Sequence, residues 1–164
     1  MNRLCFFFLM LCALSGRLFG QQVPDYDSVK LQQPGDYAVA ESAALAASNY
    51  ILSTPVTDDA QRLKSMQFLI RWMGGTPDYK FVLDGPVVTM RGDNSDLLGV
   101  YMACMTKFCI ENKVQCKDAE KVTVNSVRSL LSYCSNPSNG IRMKAEMKRL
   151  KEADEKGRLE AALK

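Results

Sequence analysis

Residues 101–116 read YMACMTKFCIENKVQC, and this stretch decides the fold because it combines a helical apolar pattern with three cysteines. Its apolar residues belong to two adjacent stripes at helical spacing, which are Leu98, Met102, Met105, Cys109 and Leu97, Tyr101, Cys104, Phe108. A helix that is apolar over so wide an arc must be covered on more than one side. Residues 96–112 are therefore predicted to form the central helix of the domain.

Helical patterns flank this segment on both sides. An alanine-rich stretch at 37–52 favours a helix, since alanine is the best helix former. Another helix opens at 57–59 and ends at Gly74-Gly75. Its inward stripe is predicted to be Ala60, Leu63, Met66, Ile70 and Met73, widened by Phe68, Leu69 and Trp72. Two more are expected at 123–134 and from residue 140 or 141 to 162. The prediction is an all-α, five-helix, bundle-like single domain over residues 36–164.

One stretch has strand character. Residues 80–83 and 87–90 are rich in β-formers, and Asp84-Gly85-Pro86 separates them with turn residues. This pattern favours a short β-hairpin at about 80–90 that lies against the helices, although isolated hairpins are marginally stable.

The first residues have the layout of a secretory signal peptide. Arg3 supplies a positive charge, residues 4–14 are apolar, and a short polar stretch comes next. The apolar run is shorter than the roughly 20 residues that a membrane-spanning helix needs. We expect residues 1–20 to be removed and residues 21–35 to form an extended or disordered leader. The expected product is periplasmic or secreted and has no transmembrane segment; cleavage after Ser15 and a buried N-terminal helix are the alternatives.

Charge and composition exclude several classes of function. Residues 21–96 carry six basic and ten acidic side chains, whereas residues 97–164 carry thirteen basic and eight acidic ones. This difference is a mild charge dipole and not the concentrated basic face that nucleic-acid binding needs, so no nucleic-acid partner is predicted. The chain contains no histidine, which excludes Ser-His-Asp and Cys-His catalysis and histidine-ligated zinc. No metal or other cofactor is predicted.

Four cysteines lie beyond the expected signal peptide, at Cys104, Cys109, Cys116 and Cys134. Their spacing lacks the close C-x-x-C pair that is typical of zinc, iron–sulfur and thioredoxin-like sites. In an oxidising compartment cysteines tend to pair. If the helices at 96–112 and 123–134 are antiparallel, Cys104–Cys134 together with Cys109–Cys116 is the favoured pairing. A single Cys109–Cys134 bond is the next candidate, and buried unpaired thiols are the remaining alternative.

A resemblance extends over nearly all of the chain beyond the expected signal. It is carried by QQVPDY (21–26), AALAASNYILSTPV (43–56), WMGGTPDYKFVLDG (72–85), NSDLLGVYMACMTKFCIENK (94–113) and LLSYCSNP (130–137). In these segments the chain resembles small exported helical proteins of Bacteroidota-type bacteria. The resemblance implies a periplasmic or secreted helical protein and brings no catalytic residues with it.

Two functions of different class fit these observations. The first is a binding, inhibitor-like or cell-envelope accessory protein whose partner is a protein or an envelope component. Its candidate contact loop contains Trp72, Tyr79 and Phe81, because aromatic residues dominate binding hot spots. The alternative for these three residues is that they pack into the core.

The second function is a histidine-free, glycosidase-like hydrolase that uses a pair of carboxylates. Asp78, Asp84, Asp93 and Asp96 are the candidate acids near the central loop. The chain lacks the common catalytic and nucleotide-binding motifs, so an enzyme is the less favoured hypothesis. Arg91-Gly92-Asp93 matches the tripeptide that integrins bind, but the favoured interpretation is a turn at Gly92 and a helix start that Asp93 or Ser95 caps.

Overall fold

The computed structural model describes residues 24–56, 59–83, 86–91 and 94–164. Within these ranges the regular structure is helical, and no strand is present. The all-α prediction is confirmed. The expected signal peptide at 1–20 lies outside the described residues.

The described ranges contain eight α-helices. They are α1 (Pro34–Val39), α2 (Glu41–Ser53), α3 (Ala60–Gly75), α4 (Pro86–Arg91), α5 (Ser95–Glu111), α6 (Ala119–Ser135), α7 (Ala145–Glu155) and α8 (Leu159–Ala162). Two single 3₁₀ turns, Gln115–Lys117 and Pro137–Asn139, lie on either side of α6. Polar side chains cap several helices: Asp59 accepts from the backbone of Gln61 and Arg62, Asn94 from that of Leu97, and Asp118 from that of Glu120 and Lys121.

The helix count exceeds the predicted five for three local reasons. The first predicted helix is interrupted at Ala40, whose backbone lies at φ −81° and ψ 0°. The last one begins only at Ala145 and is divided at Gly157, whose φ of +66° favours glycine. The third addition is α4, in the place of the predicted hairpin.

The predicted hairpin at about 80–90 is wrong. Residues 80–83 form no strand, and the segment from Pro86 is helical. Proline fits the first turn of a helix because its fixed φ is helical and its missing N–H would be unpaired there. Met90 is 2 % exposed and packs into the core, so a helical turn buries one large side chain where an isolated hairpin would be marginal.

The core is centred on α5, as predicted. This helix packs against α2 and α6 along its length and also contacts α3 and α4. The facing side of α2 is made of small residues, with Ala43, Ala44, Ala47 and Ser48 buried. On α6 the buried side chains include Val127, Leu130 and Leu131. Helices α5 and α6 are thus adjacent, and Cys104 of α5 lies near Cys134 of α6.

The inward face of α3 was predicted in part: Phe68, Leu69 and Trp72 are buried as expected, but the aliphatic stripe beside them is not. Leu63 and Ile70 are 60 % and 50 % exposed, and Met66 and Met73 are only half-buried. The face that packs inward contains Arg62, Ser65, Phe68, Leu69 and Trp72. Burial of two aromatic rings, together with hydrogen bonds that satisfy Arg62 and Ser65, orients the helix more strongly than the aliphatic stripe does.

The segment before α1 packs against α3. Residues 24–33 contain turns but no helix, and the Tyr26 ring stacks on Phe68 with centroids 4.7 Å apart. Tyr26 is 2 % exposed, so this single aromatic residue attaches the segment to the core. No helix in the described part of the chain is both long enough and apolar enough to cross a membrane.

Candidate functional site

The predicted contact loop forms an aromatic cluster at the end of α3. The rings of Trp72 and Tyr79 lie 5.5 Å apart, and Phe81 lies 6.1 Å from each of them. Trp72 is fully buried and Tyr79 is 7 % exposed, whereas Phe81 is half-buried. The Trp72 indole N–H donates to the carbonyl of Tyr37 at 2.9 Å. Only Phe81 of the three therefore offers appreciable surface to a partner.

The polar end of Tyr79 joins an ionic group. Its hydroxyl donates to Glu41 Oε1 at 2.7 Å, and Lys113 Nζ lies 2.8 Å from Glu41 Oε2. Burial raises the pKa of Glu41, but the hydrogen bonds from Lys113 and Tyr79 outweigh it and hold the pKa below its usual range. Burial and the neighbouring Glu41 carboxylate raise the pKa of Tyr79. This group is therefore a structural link between α2, the loop after α3 and the segment after α5.

The same end of the molecule holds one cysteine pair. Cys109 lies in the last part of α5 and is fully buried, and Cys116 lies in the next 3₁₀ turn and is half-buried. The two thiols are electrostatic neighbours of each other, and the Cys116 sulfur is also an electrostatic neighbour of Tyr79. The structure thus brings together two sets of residues that the sequence suggested separately.

A second pair lies between α5 and α6. Cys104 and Cys134 are 2 % and 3 % exposed, and the Cys104 sulfur is an electrostatic neighbour of Cys134. All four cysteines are free thiols in this structure. Cys104 therefore neighbours Cys134, and Cys109 neighbours Cys116, which are the two pairs that the sequence favoured.

The thiols are poorly suited to catalysis. Burial raises the pKa of Cys134 to about 12 and also raises the pKa values of Cys104 and Cys109. A thiolate is needed for nucleophilic attack or metal ligation, so these three cysteines remain protonated at neutral pH. Among the described residues, no group of three or more cysteine, aspartate or glutamate side chains is arranged to hold a metal ion.

The acids proposed for a hydrolase do not form a described pair. Asp78 and Asp96 are exposed, whereas Asp84 and Asp93 lie outside the described residues. For the same reason Arg91-Gly92-Asp93 is described only at Arg91, where α4 ends. Neither Asp78 nor Asp96 lines the surface depressions beside α3.

Sequence reasoning missed a buried polar site at Arg62. Its Nη1 donates to the carbonyl of Ile51 at 2.7 Å and to the carbonyl and hydroxyl of Thr54 at 3.0 Å each. The Tyr133 hydroxyl donates to the same Thr54 carbonyl at 2.6 Å. Arg62 thus pairs the orphan carbonyls at the end of α2, a structural role that an arginine inside an apolar pattern does not reveal.

Sequence reasoning also missed a groove along the outer face of α3. Two adjoining depressions of about 430 and 660 Å³ share Asp27 and Arg71 and run between the 26–32 segment and α3. We call these two depressions together the α3 groove. Its further lining includes Lys30, Lys64 and Ile70, and it ends at Gly74 and Gly75, where the Tyr37 ring covers Gly75.

The chain matches no protein-family model, no curated protein and no solved structure.

Proposed function

We propose that the protein is a small exported binding or envelope accessory protein whose helical fold is closed by two disulfides, Cys104–Cys134 and Cys109–Cys116. The observation that carries the proposal is the placement of the four cysteines as two neighbouring pairs. The signal-like sequence of residues 1–20 supports delivery of the chain to an oxidising compartment.

Both bonds would stabilise the fold by joining its central helix to segments later in the chain. In the chain-entropy model, the longer loop contributes about 4 kcal/mol and the shorter one about 2.5 kcal/mol. These contributions are large beside the marginal stability of a domain of this size. Because burial keeps three of the thiols protonated, a structural role is favoured over thiol catalysis.

A binding role is favoured over catalysis by the surface chemistry. The described thiols and carboxylates form no reactive pair in a deep cleft, whereas the α3 groove combines exposed cationic and aliphatic side chains. Shallow surfaces of this mixed composition suit recognition of another macromolecule.

The experiment is expression of the full chain in a host that exports proteins, with intact mass measurement of the released product. We expect loss of residues 1–20 and a mass that is lower by two hydrogen atoms for each disulfide. Digestion without reductant should give two cross-linked peptides, one for each pair. Retention of the uncleaved chain in the cell, or four alkylatable thiols in the released product, would contradict the proposal.

A further inference from the structure

The α3 groove has a length that suits a short extended peptide. Its lining on α3 runs from Lys64 to Gly75, which at 1.5 Å per residue is about 17 Å. An extended chain rises about 3.3 Å per residue, so about five residues would lie along it. The opposite wall is the 26–32 segment, which Tyr26 holds against Phe68. The wall formed by the 26–32 segment is therefore anchored to the core through Tyr26 in the absence of a partner.

The charge of the groove points to an acidic partner. Lys30, Lys64 and Arg71 line it together with a single acid, Asp27. Asp27 pairs with Lys64 at 3.4 Å, and both side chains remain more than half exposed, so this ion pair is weak. The groove thus carries an excess of positive charge, although the half of the chain before residue 97 is acidic.

Arg71 is the group best placed to recognise a carboxylate. It is exposed, lies 6.0 Å from the Phe68 ring centroid, and donates one long hydrogen bond of 3.5 Å to the Tyr26 carbonyl. Among the described residues it forms no ion pair with a carboxylate. A guanidinium held in this way keeps donors available for a bidentate bond to a carboxylate.

Ile70 adds an apolar contact beside Arg71. It is 50 % exposed and lines the groove one residue before the guanidinium. A partner that places an aliphatic side chain on Ile70 and a carboxylate on Arg71 would satisfy both. A peptide can supply both groups, because each residue along it can carry a different kind of side chain.

We propose that the α3 groove binds an extended segment of a partner protein, about five residues long, in which acidic residues flank an aliphatic one. This inference rests on the proposed function, because it names the partner class of a binding protein. The cationic residues supply orientation, and Ile70 supplies an apolar contact.

The test uses the exported, oxidised protein as bait for a displayed library of random short peptides. We expect enrichment of sequences that contain Asp or Glu beside Leu, Ile or Val. A fluorescent copy of an enriched peptide should bind about tenfold more weakly after Arg71→Gln, the loss expected for one charge-assisted contact. Lys30→Gln should also weaken it, and added salt should weaken it further.

Matched controls exclude a general effect of charge or apolarity. Arg142→Gln and Lys148→Gln remove equal charges from exposed sites outside the groove and should leave binding unchanged. Ile70→Ser should weaken binding, whereas Leu63→Ser, on the same helix and outside the groove lining, should not.

Three outcomes would overturn the inference: no acidic enrichment, equal binding by groove and control variants, or stronger groove-dependent binding to phosphatidylglycerol vesicles than to the peptide. The last outcome would assign the groove to a membrane surface. The bait is the product of the export and disulfide experiment, so that experiment is decided before any peptide is tested. Failure of peptide binding would therefore leave the result on export and disulfides unchanged.

Discussion

The Tyr79 hydroxyl donates a 2.7 Å hydrogen bond to Glu41, and this bond joins the loop after α3 to the start of α2. The same carboxylate accepts from Lys113, which lies just after α5. One acidic side chain therefore connects three segments that are distant in sequence. Because Cys116 lies beside Tyr79, the network also fixes the surroundings of the Cys109–Cys116 pair.

Replacement of Tyr79 by phenylalanine tests this connection. Tyr79→Phe keeps the ring in the aromatic cluster but removes the donor to Glu41. We expect the free energy of unfolding to fall by about 1 kcal/mol, the usual contribution of one hydrogen bond. Urea unfolding measures this loss of stability. Tyr37→Phe is the control, because the Tyr37 hydroxyl donates a longer hydrogen bond, of 3.3 Å, to the Leu31 carbonyl. A larger loss in the control than in Tyr79→Phe would contradict the expectation.

The sequence predicted the helices better than their orientation. The central position of α5 could be inferred from its wide apolar arc, whereas the packing of α6 against α5 entered only as an assumption behind the cysteine pairing. The inward face of α3 was predicted correctly at Phe68, Leu69 and Trp72. It was not predicted at Arg62, which is buried because the end of α2 supplies carbonyl acceptors. That arrangement is tertiary and cannot be inferred from spacing along the chain.

The candidate site was predicted only in part. The neighbouring cysteines were inferred from an assumed antiparallel pair of helices, so their placement was within reach of the sequence. The α3 groove was not, because one wall is the 26–32 segment that was expected to be extended or disordered. Tyr26 was the available signal, since a tyrosine in a polar segment can anchor it to a core, as it does here on Phe68.

Alkylation of the reduced protein should distinguish the thiols of Cys104, Cys109, Cys116 and Cys134. Cys116 is half-buried, whereas Cys104 is fully buried and burial raises its pKa. We expect iodoacetamide to modify Cys116 first and Cys104 last, with rates that differ by about tenfold or more, because each unit of pKa lowers the thiolate fraction tenfold. Peptide mass mapping over time measures the order. Equal rates at all four sites in the folded protein would contradict this difference in burial.

The stability of the fold should fall in acid through Glu41. Its pKa is lower in the folded chain than in the unfolded one, where a glutamate titrates at about 4.3. The stabilisation is therefore complete above that value and is lost as the pH falls through the lower, folded pKa. We expect Glu41→Gln to flatten the decline in the free energy of unfolding below about pH 4.5.

The control for this pH dependence is Glu155→Gln. Glu155 is 63 % exposed, and its ion pair with Lys151 is long, at 3.9 Å. Its replacement should leave the acid limb of the curve unchanged, because exposed pairs contribute little. Identical pH profiles for Glu41→Gln and the unmodified protein would assign the acid sensitivity to other carboxylates.

Arg62 should contribute more to stability than any exposed arginine. Arg62→Met retains the apolar stem but leaves the Ile51 carbonyl without its side-chain donor, and the Thr54 carbonyl keeps only the hydrogen bond from Tyr133. Since an unpaired buried acceptor costs about 1–3 kcal/mol, we expect the free energy of unfolding to fall by about 3 kcal/mol. Arg128→Met is the matched control, because Arg128 pairs with Asp154 at a half-exposed site and should contribute less than about 1 kcal/mol. Urea unfolding of both variants gives the comparison, and a loss at Arg62 no greater than that at Arg128 would mean that the end of α2 does not depend on this guanidinium.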